Sequence, residues 1–182
     1  MLHILFIDFT WDTPSMPKGL KETSSLIAIS SQVTESAANT FTSQRVDLQL
    51  NPLDNEVFIV YAIDLDLQQP DSVDAVTTEL TGSLSTTERT TVGGLQDSNV
   101  MAKSRMVIQN QTTNAVLSEF KSDSTPTGML EYIGIIATND FYLNIDGTNN
   151  ANAKAMQARV FGVRAKADAS VYAALVQSEV LS

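Results

Sequence analysis

Along much of this chain apolar and polar residues alternate with a period of two, the signature of strands that bury one face. Residues 56–67, EVFIVYAIDLDL, are the strongest case. They open as a continuous apolar run and end alternating, with Ile63, Leu65 and Leu67 facing one way and Asp64 and Asp66 the other. The pattern predicts a strand buried on both faces in its first half and on one face in its second. Residues 40–50 place Phe41, Val46, Leu48 and Leu50 among polar partners, with one slip between Phe41 and Val46 that a bulge allows. Residues 155–166 set Met156, Ala158, Val160 and Gly162 opposite Gln157, Arg159, Phe161 and Val163. Shorter strands are predicted over 103–109 and 113–120. The Thr-rich segment 74–92 reads as a long, weakly packed or edge strand. Residues 129–146 read as a hairpin whose arms, MLEYIGIIA and FYLNI, flank the polar turn Thr138-Asn139-Asp140.

Turn signals recur at Pro14–Gly19, Asn51–Asn55, Gln69–Ser72, Gly93–Asn99, Ser122–Gly128, Thr138–Asp140 and Asp146–Asn150. That spacing suits an all-β sandwich or barrel. The tail, 168–181, changes character: Asp168 or Ser170 is placed to cap a short helix with Val171/Leu175 and Tyr172/Val176 at i, i+4, a final strand being the rival reading. Segment 20–38 has no clean period and is open to an arm, a strand or a short helix. The expected fold is all-β: one antiparallel sandwich of eight to nine strands over residues 21–182, with a single jelly roll preferred. An N-terminal arm or edge strand over 1–20 and at most a short C-terminal helix complete it.

Composition narrows the chemistry. Of 182 residues, 58 are Ser, Thr, Asn or Gln, one is histidine and none is cysteine. Disulfides, Cys-zinc sites, iron–sulfur clusters and thiol catalysis are excluded. Residues 1–100 hold 14 acidic and 4 basic side chains, whereas residues 101–182 hold 7 of each, so the net charge of −10 arises wholly in the first part. Residues 147–167 carry Lys154, Arg159, Arg164 and Lys166 and no acid. The molecule is therefore expected to have two unlike faces, and direct nucleic-acid binding is not expected for the chain as a whole. The apolar start, MLHILFIDFTW, lacks a basic leader and is interrupted by Asp8 and Asp12, so no signal peptide and no membrane span are expected.

Candidate sites are few. His3, the sole histidine, sits in the apolar start and offers neither a metal cluster nor an evident triad. Asp64 and Asp66 share a strand face about 7 Å apart, within the ~5–9.5 Å of glycosidase carboxylate pairs, but polar alternation on a half-exposed strand explains them fully. Oxygen-rich residues gather at 138–140 and 146–150. Calcium binds such oxygens, yet Asn, Asp and Gly are also what turns require and the spacing is not that of an EF-hand. Gly93-Gly94 lacks the residues of a phosphate cradle. No catalytic residue, cofactor or metal is assigned. Interface candidates are Phe9 and Trp11 in the terminal arm, and Arg159 and Arg164 in the acid-free segment.

The stretches VTESAANTFTSQRVDLQLNPLDNEVFIVYAIDLDL, LEYIGIIATNDFYLNIDG and RAKADASVYAALVQSEVLS, with the Thr/Ser/Asn-rich strands and long polar loops, give the chain an overall design. In that design it resembles small jelly-roll coat proteins of viruses, those of tailless or icosahedral phages among them. The resemblance implies two facing four-stranded sheets whose end loops meet neighbouring subunits. It implies a non-enzymatic, self-assembling shell subunit, made in the host cytoplasm and located in the virion, with copies of itself and other capsid proteins as partners. The basic genome-binding arm of many coat proteins is missing, which fits a shell lined by a membrane or another protein. The alternatives are a sandwich binding module, lectin-like or a virion decoration protein, using loops 93–99 and 146–150, and an enzyme working with carboxylates alone.

Overall fold

The computed structural model describes residues 16–111, 114–121 and 131–180. His3, Phe9, Trp11, the bulk of the 1–20 arm and the 122–128 turn lie outside these residues. In chain order the strands are β1 (Leu20–Glu22), β2 (Ile27–Thr34), β3 (Thr42–Asp47), β4 (Glu56–Leu67) and β5 (Thr77–Ser85). They continue as β6 (Val100–Gln111), β7 (Asn114–Lys121), β8 (Gly134–Ile136), β9 (Asp140–Thr148) and β10 (Ala155–Ala167), and a helix α1 (Ala169–Val180) ends the chain.

The strands form two antiparallel five-stranded sheets. In the first, β10 lies between β4 and the pair β1/β2, and β8 is beyond β4; the second runs β3-β9-β5-β6-β7. Four pairings nest inside one another: β2 with β10, β3 with β9, β4 with β8, and β5 with β6. A long double ribbon rolled so that β10 meets β4 and β9 meets β5 gives this arrangement, which is a jelly roll. The described residues hold ten strands where eight or nine were expected. β1 and β2 both lie on one side of β10, broken at Thr23–Leu26, and β7 adds an edge beyond β6. Segment 20–38 thereby resolves as strand, and Leu20 belongs to a sheet rather than to a free arm.

The core between the sheets includes Phe58, Val60, Ile63, Leu65, Leu80, Leu84, Phe141, Leu143, Ile145, Met156 and Val160. Burying such a side chain stabilises the fold by about 1.5–3 kcal/mol. A second cluster lies outside the first sheet, where α1 covers Val57, Ile59, Val163, Ala165 and Ala167 with Val171, Tyr172, Leu175 and Val176. This explains β4. Val57 to Val60 are all buried because the helix covers one face and the second sheet the other. Past the helix Asp64 and Asp66 face outward. The register between β4 and β10 slips at Phe161/Gly162, leaving Tyr61 without a register partner and shifting the inward set from Phe58 and Val60 to Ile63, Leu65 and Leu67.

α1 starts where Asp168 Oδ1 accepts from the Val171 amide (2.8 Å) and the Ser170 hydroxyl (2.8 Å). Those bonds hold the Asp168 carboxyl below its ordinary range. The tail is a helix, and the rival strand reading falls.

Three further expectations are corrected. Residues 129–146 are not a hairpin: β8 pairs with β4 in the first sheet and β9 with β3 and β5 in the second, so Thr138–Asn139 crosses between sheets. β5 is not an edge strand but lies between β9 and β6, with Thr78, Ser83 and Ser85 fully buried. The slip expected in 40–50 is absent from the regular pairing of β3 with β9.

Candidate functional site

A shallow groove of about 520 Å³ lies on the outer face of the first sheet, beside the part α1 covers. Three adjacent strands build it. Arg159 on β10 stands between Ser30 on β2 and Asp64 on β4, and Gln157 stands between Gln32 and Asp66. The result is a two-by-three array of polar side chains, with rows about 7 Å apart along the strands and neighbours about 4.8 Å apart across them. Within it Arg159 Nε donates to Ser30 Oγ at 3.3 Å. Among the described residues the side chains of Asp64, Asp66 and Gln157 make no hydrogen bond, and Arg159 is the one arginine outside an ion pair. Sequence reading singled out Asp64, Asp66 and Arg159, and the fold brings them together; it missed Ser30, Gln32 and Gln157, whose period-two spacing on neighbouring strands was the available signal.

Arg164 is employed differently. Its guanidinium donates to the carbonyls of Gln49 (3.1 Å) and Leu48 (2.8 Å) and pairs with Glu56 (3.1 Å), tying β10 to the β3–β4 connection. That guanidinium is committed within the chain.

The polar groups of the loops suggested for calcium or ligand are largely engaged, within the loop or with neighbouring segments. Residues 146–148 continue β9 instead of turning. Asn150 bonds Asn39 through both its amide and carbonyl, accepts from the Asp71 amide and donates to the Glu79 carbonyl. Asn139 takes the amides of Leu48 and Leu50. Among the described residues no cluster of three or more metal-binding side chains occurs. In the 86–99 loop, Arg89 binds Asn99 (2.7 Å) and Asp97 (2.8 Å), and Asp97 also takes the Gly94 amide (3.1 Å). Those amides are used inside the loop.

Two buried ionic features escaped the sequence reading. Lys154, its side chain 5% exposed, pairs with Asp71, which also accepts from the amides of Ala151 (2.9 Å) and Asn152 (3.0 Å). The Lys154 bond is the largest influence holding the Asp71 carboxyl below its usual value. Glu35 is buried and accepts from the amides of Gly147 (2.7 Å) and Lys154 (2.9 Å). Near it Asp146 is pushed up, first by burial and then by the charges of Glu35 and Glu79. At the far end of α1 the buried Glu179 accepts from the amides of Ala137 (3.0 Å) and Thr138 (2.8 Å), and burial raises its carboxyl despite those bonds.

The last feature is the edge of the second sheet. Among the described residues β7 pairs only with β6, and it exposes Val116, Leu117 and Phe120 by 54%, 53% and 56%. Arg105, bound to Glu79 (2.6 and 2.7 Å), lies over the Phe120 ring at 5.8 Å. Among the described residues no helix is long and apolar enough to cross a membrane.

No protein-family model matches the chain, and no curated protein matches it. Among solved structures it is similar to a tailspike protein of Acinetobacter baumannii bacteriophage Fri1, a capsular polysaccharide depolymerase, at 11% sequence identity and a TM-score of 0.16. The similarity covers 65% of this chain and 19% of that one, so the chain spans about a fifth of the tailspike's length, and a likeness at that score carries no argument about either fold or function.

Proposed function

We propose that this chain is a self-assembling structural subunit of a virion shell, held in place by contacts with copies of itself. The observation that carries the reading is β7, an eight-residue edge strand with three large apolar side chains more than half exposed. An edge of that length and character is a template for another strand, and soluble proteins usually blunt or cover it. A second copy is the occupant. Antiparallel pairing of β7 with itself about a two-fold axis centred on Ser118 sets Val116 of each copy opposite Phe120 of the other, so one surface suffices for both sides. The jelly-roll order is compatible with this role but does not select it, since the fold serves unrelated functions. The role is non-catalytic in this reading, because Asp64 and Asp66 stand on an open sheet face and, among the described residues, no further carboxylate lines the groove. The chain's place is then the virion, after synthesis in the host cytoplasm.

Sedimentation velocity of the full chain against a Val116→Asp/Phe120→Asp double variant tests the proposal. Both side chains are more than half exposed in the single chain, so the variant still folds and melts cooperatively, at a lower temperature than the assembled parent. The expected result is a shift from large species in the parent to monomer in the variant. Identical sedimentation of the two proteins sinks the β7 interface.

A further inference from the structure

We infer that the polar groove on the first sheet is a binding site for neutral saccharide. The inference does not rest on the shell reading, because the groove and β7 belong to different sheets.

The ligand class follows from what the array offers. Arg159, Gln32 and Gln157 supply donors, Asp64 and Asp66 supply acceptors, and Ser30 supplies both. Ion pairing is the rule elsewhere in the molecule: Arg45, Arg89, Arg105 and Arg164 are each in an ion pair with a carboxylate. Arg159 stands directly across from Asp64 on the next strand and yet is not paired with it, while the one bond its guanidinium makes, to Ser30, is long at 3.3 Å. Donors and acceptors are therefore held side by side on a rigid three-stranded floor with their capacity largely unspent.

Other ligand classes fit less well. Phosphates and nucleic acids meet two carboxylates. A cation at the carboxylates meets the Arg159 guanidinium beside Asp64 in the same row. A peptide strand adds at a sheet edge, here the outer side of β2 or of β4 beyond β8, and so lies beside the groove rather than on its floor. An apolar molecule meets a lining that is mainly polar. A neutral sugar presents hydroxyls that both donate and accept. A vicinal diol can engage both oxygens of one carboxylate, and a ring about 5 Å across matches the strand spacing. The groove's 520 Å³ accommodates a short oligosaccharide segment.

Saturation-transfer difference NMR tests this on the full chain, whatever its assembly state. The probes are maltotetraose, cellotetraose, chitotetraose and a galactose tetramer, with a heparin tetrasaccharide as the anionic comparison. The expected result is transfer to at least one neutral probe, weakened about ten-fold or more in apparent affinity by Asp64→Ala/Asp66→Ala and by Arg159→Ala. The thermal transitions of these variants stay at the parent's value, since the side chains lie on the open face. Absence of transfer to every neutral probe overturns the assignment. So does equal transfer in parent and variants, or preference for the heparin fragment.

Discussion

At the scale of single residues, the buried charges give the sharpest expectations. Asp71→Ala leaves the Lys154 ammonium buried without its counter-charge, a change that costs about 3 kcal/mol. Lys154→Ala costs less, roughly 1–2 kcal/mol, because Asp71 is a quarter exposed and keeps the Ala151 and Asn152 amides. Chemical denaturation of the two variants checks the asymmetry; equal losses contradict it. Asp146 gives a pH test. Its carboxyl is raised in the folded chain, so its favourable contribution is present below the unfolded value and lost as pH rises through the folded one. At neutral pH the ionised group is a net cost, and Asp146→Asn raises the melting temperature there. The gain shrinks as the pH falls through the raised folded value and is gone below about 4. A gain that persists unchanged in acid contradicts this assignment.

At the scale of elements, what the sequence discloses depends on whether burial and polarity agree. β4 was legible because its switch from continuous to alternating apolar residues follows the edge of the helix that covers it. β10 and α1 were legible for the same reason, from period and cap. β5 was not, because Gly82, Ser83 and Ser85 look like exposed residues while the fold buries them. Gly82 is there because Met156 and Leu67 cross it from the other sheet, a non-local fact. The 129–146 segment misled because a short polar turn between two apolar arms also describes a crossing between sheets. The groove was half legible: the carboxylates and Arg159 declare themselves along their own strands, but their meeting depends on register. Gly162 marks the bulge that fixes that register. A Cβ there meets the Ile59 carbonyl and the Phe58 ring, and the carbonyl cannot swing aside. Gly162→Ala is expected to destabilise by about 1–3 kcal/mol, despite the entropy it removes from the unfolded chain. A thermal melt at or above the parent's refutes that.

At the scale of the whole molecule, the surfaces are unlike one another. One sheet carries a helix over half its outer face and a polar groove over the rest; the other ends in an apolar edge. The first-half excess of acid is partly consumed internally, since Asp54, Glu56, Asp71, Glu79 and Asp97 are all in ion pairs. A single β7 seam is smaller than the roughly 1,200 Å² of a stable two-body interface, so a shell needs further contacts acting together. Assembly is then cooperative and steep in protein concentration. The central claim is that this chain builds a shell from its own copies, and the most direct test is electron microscopy of the purified full-length protein over a range of concentrations. The account predicts closed, regular particles above a threshold concentration; a monomer at every concentration contradicts it.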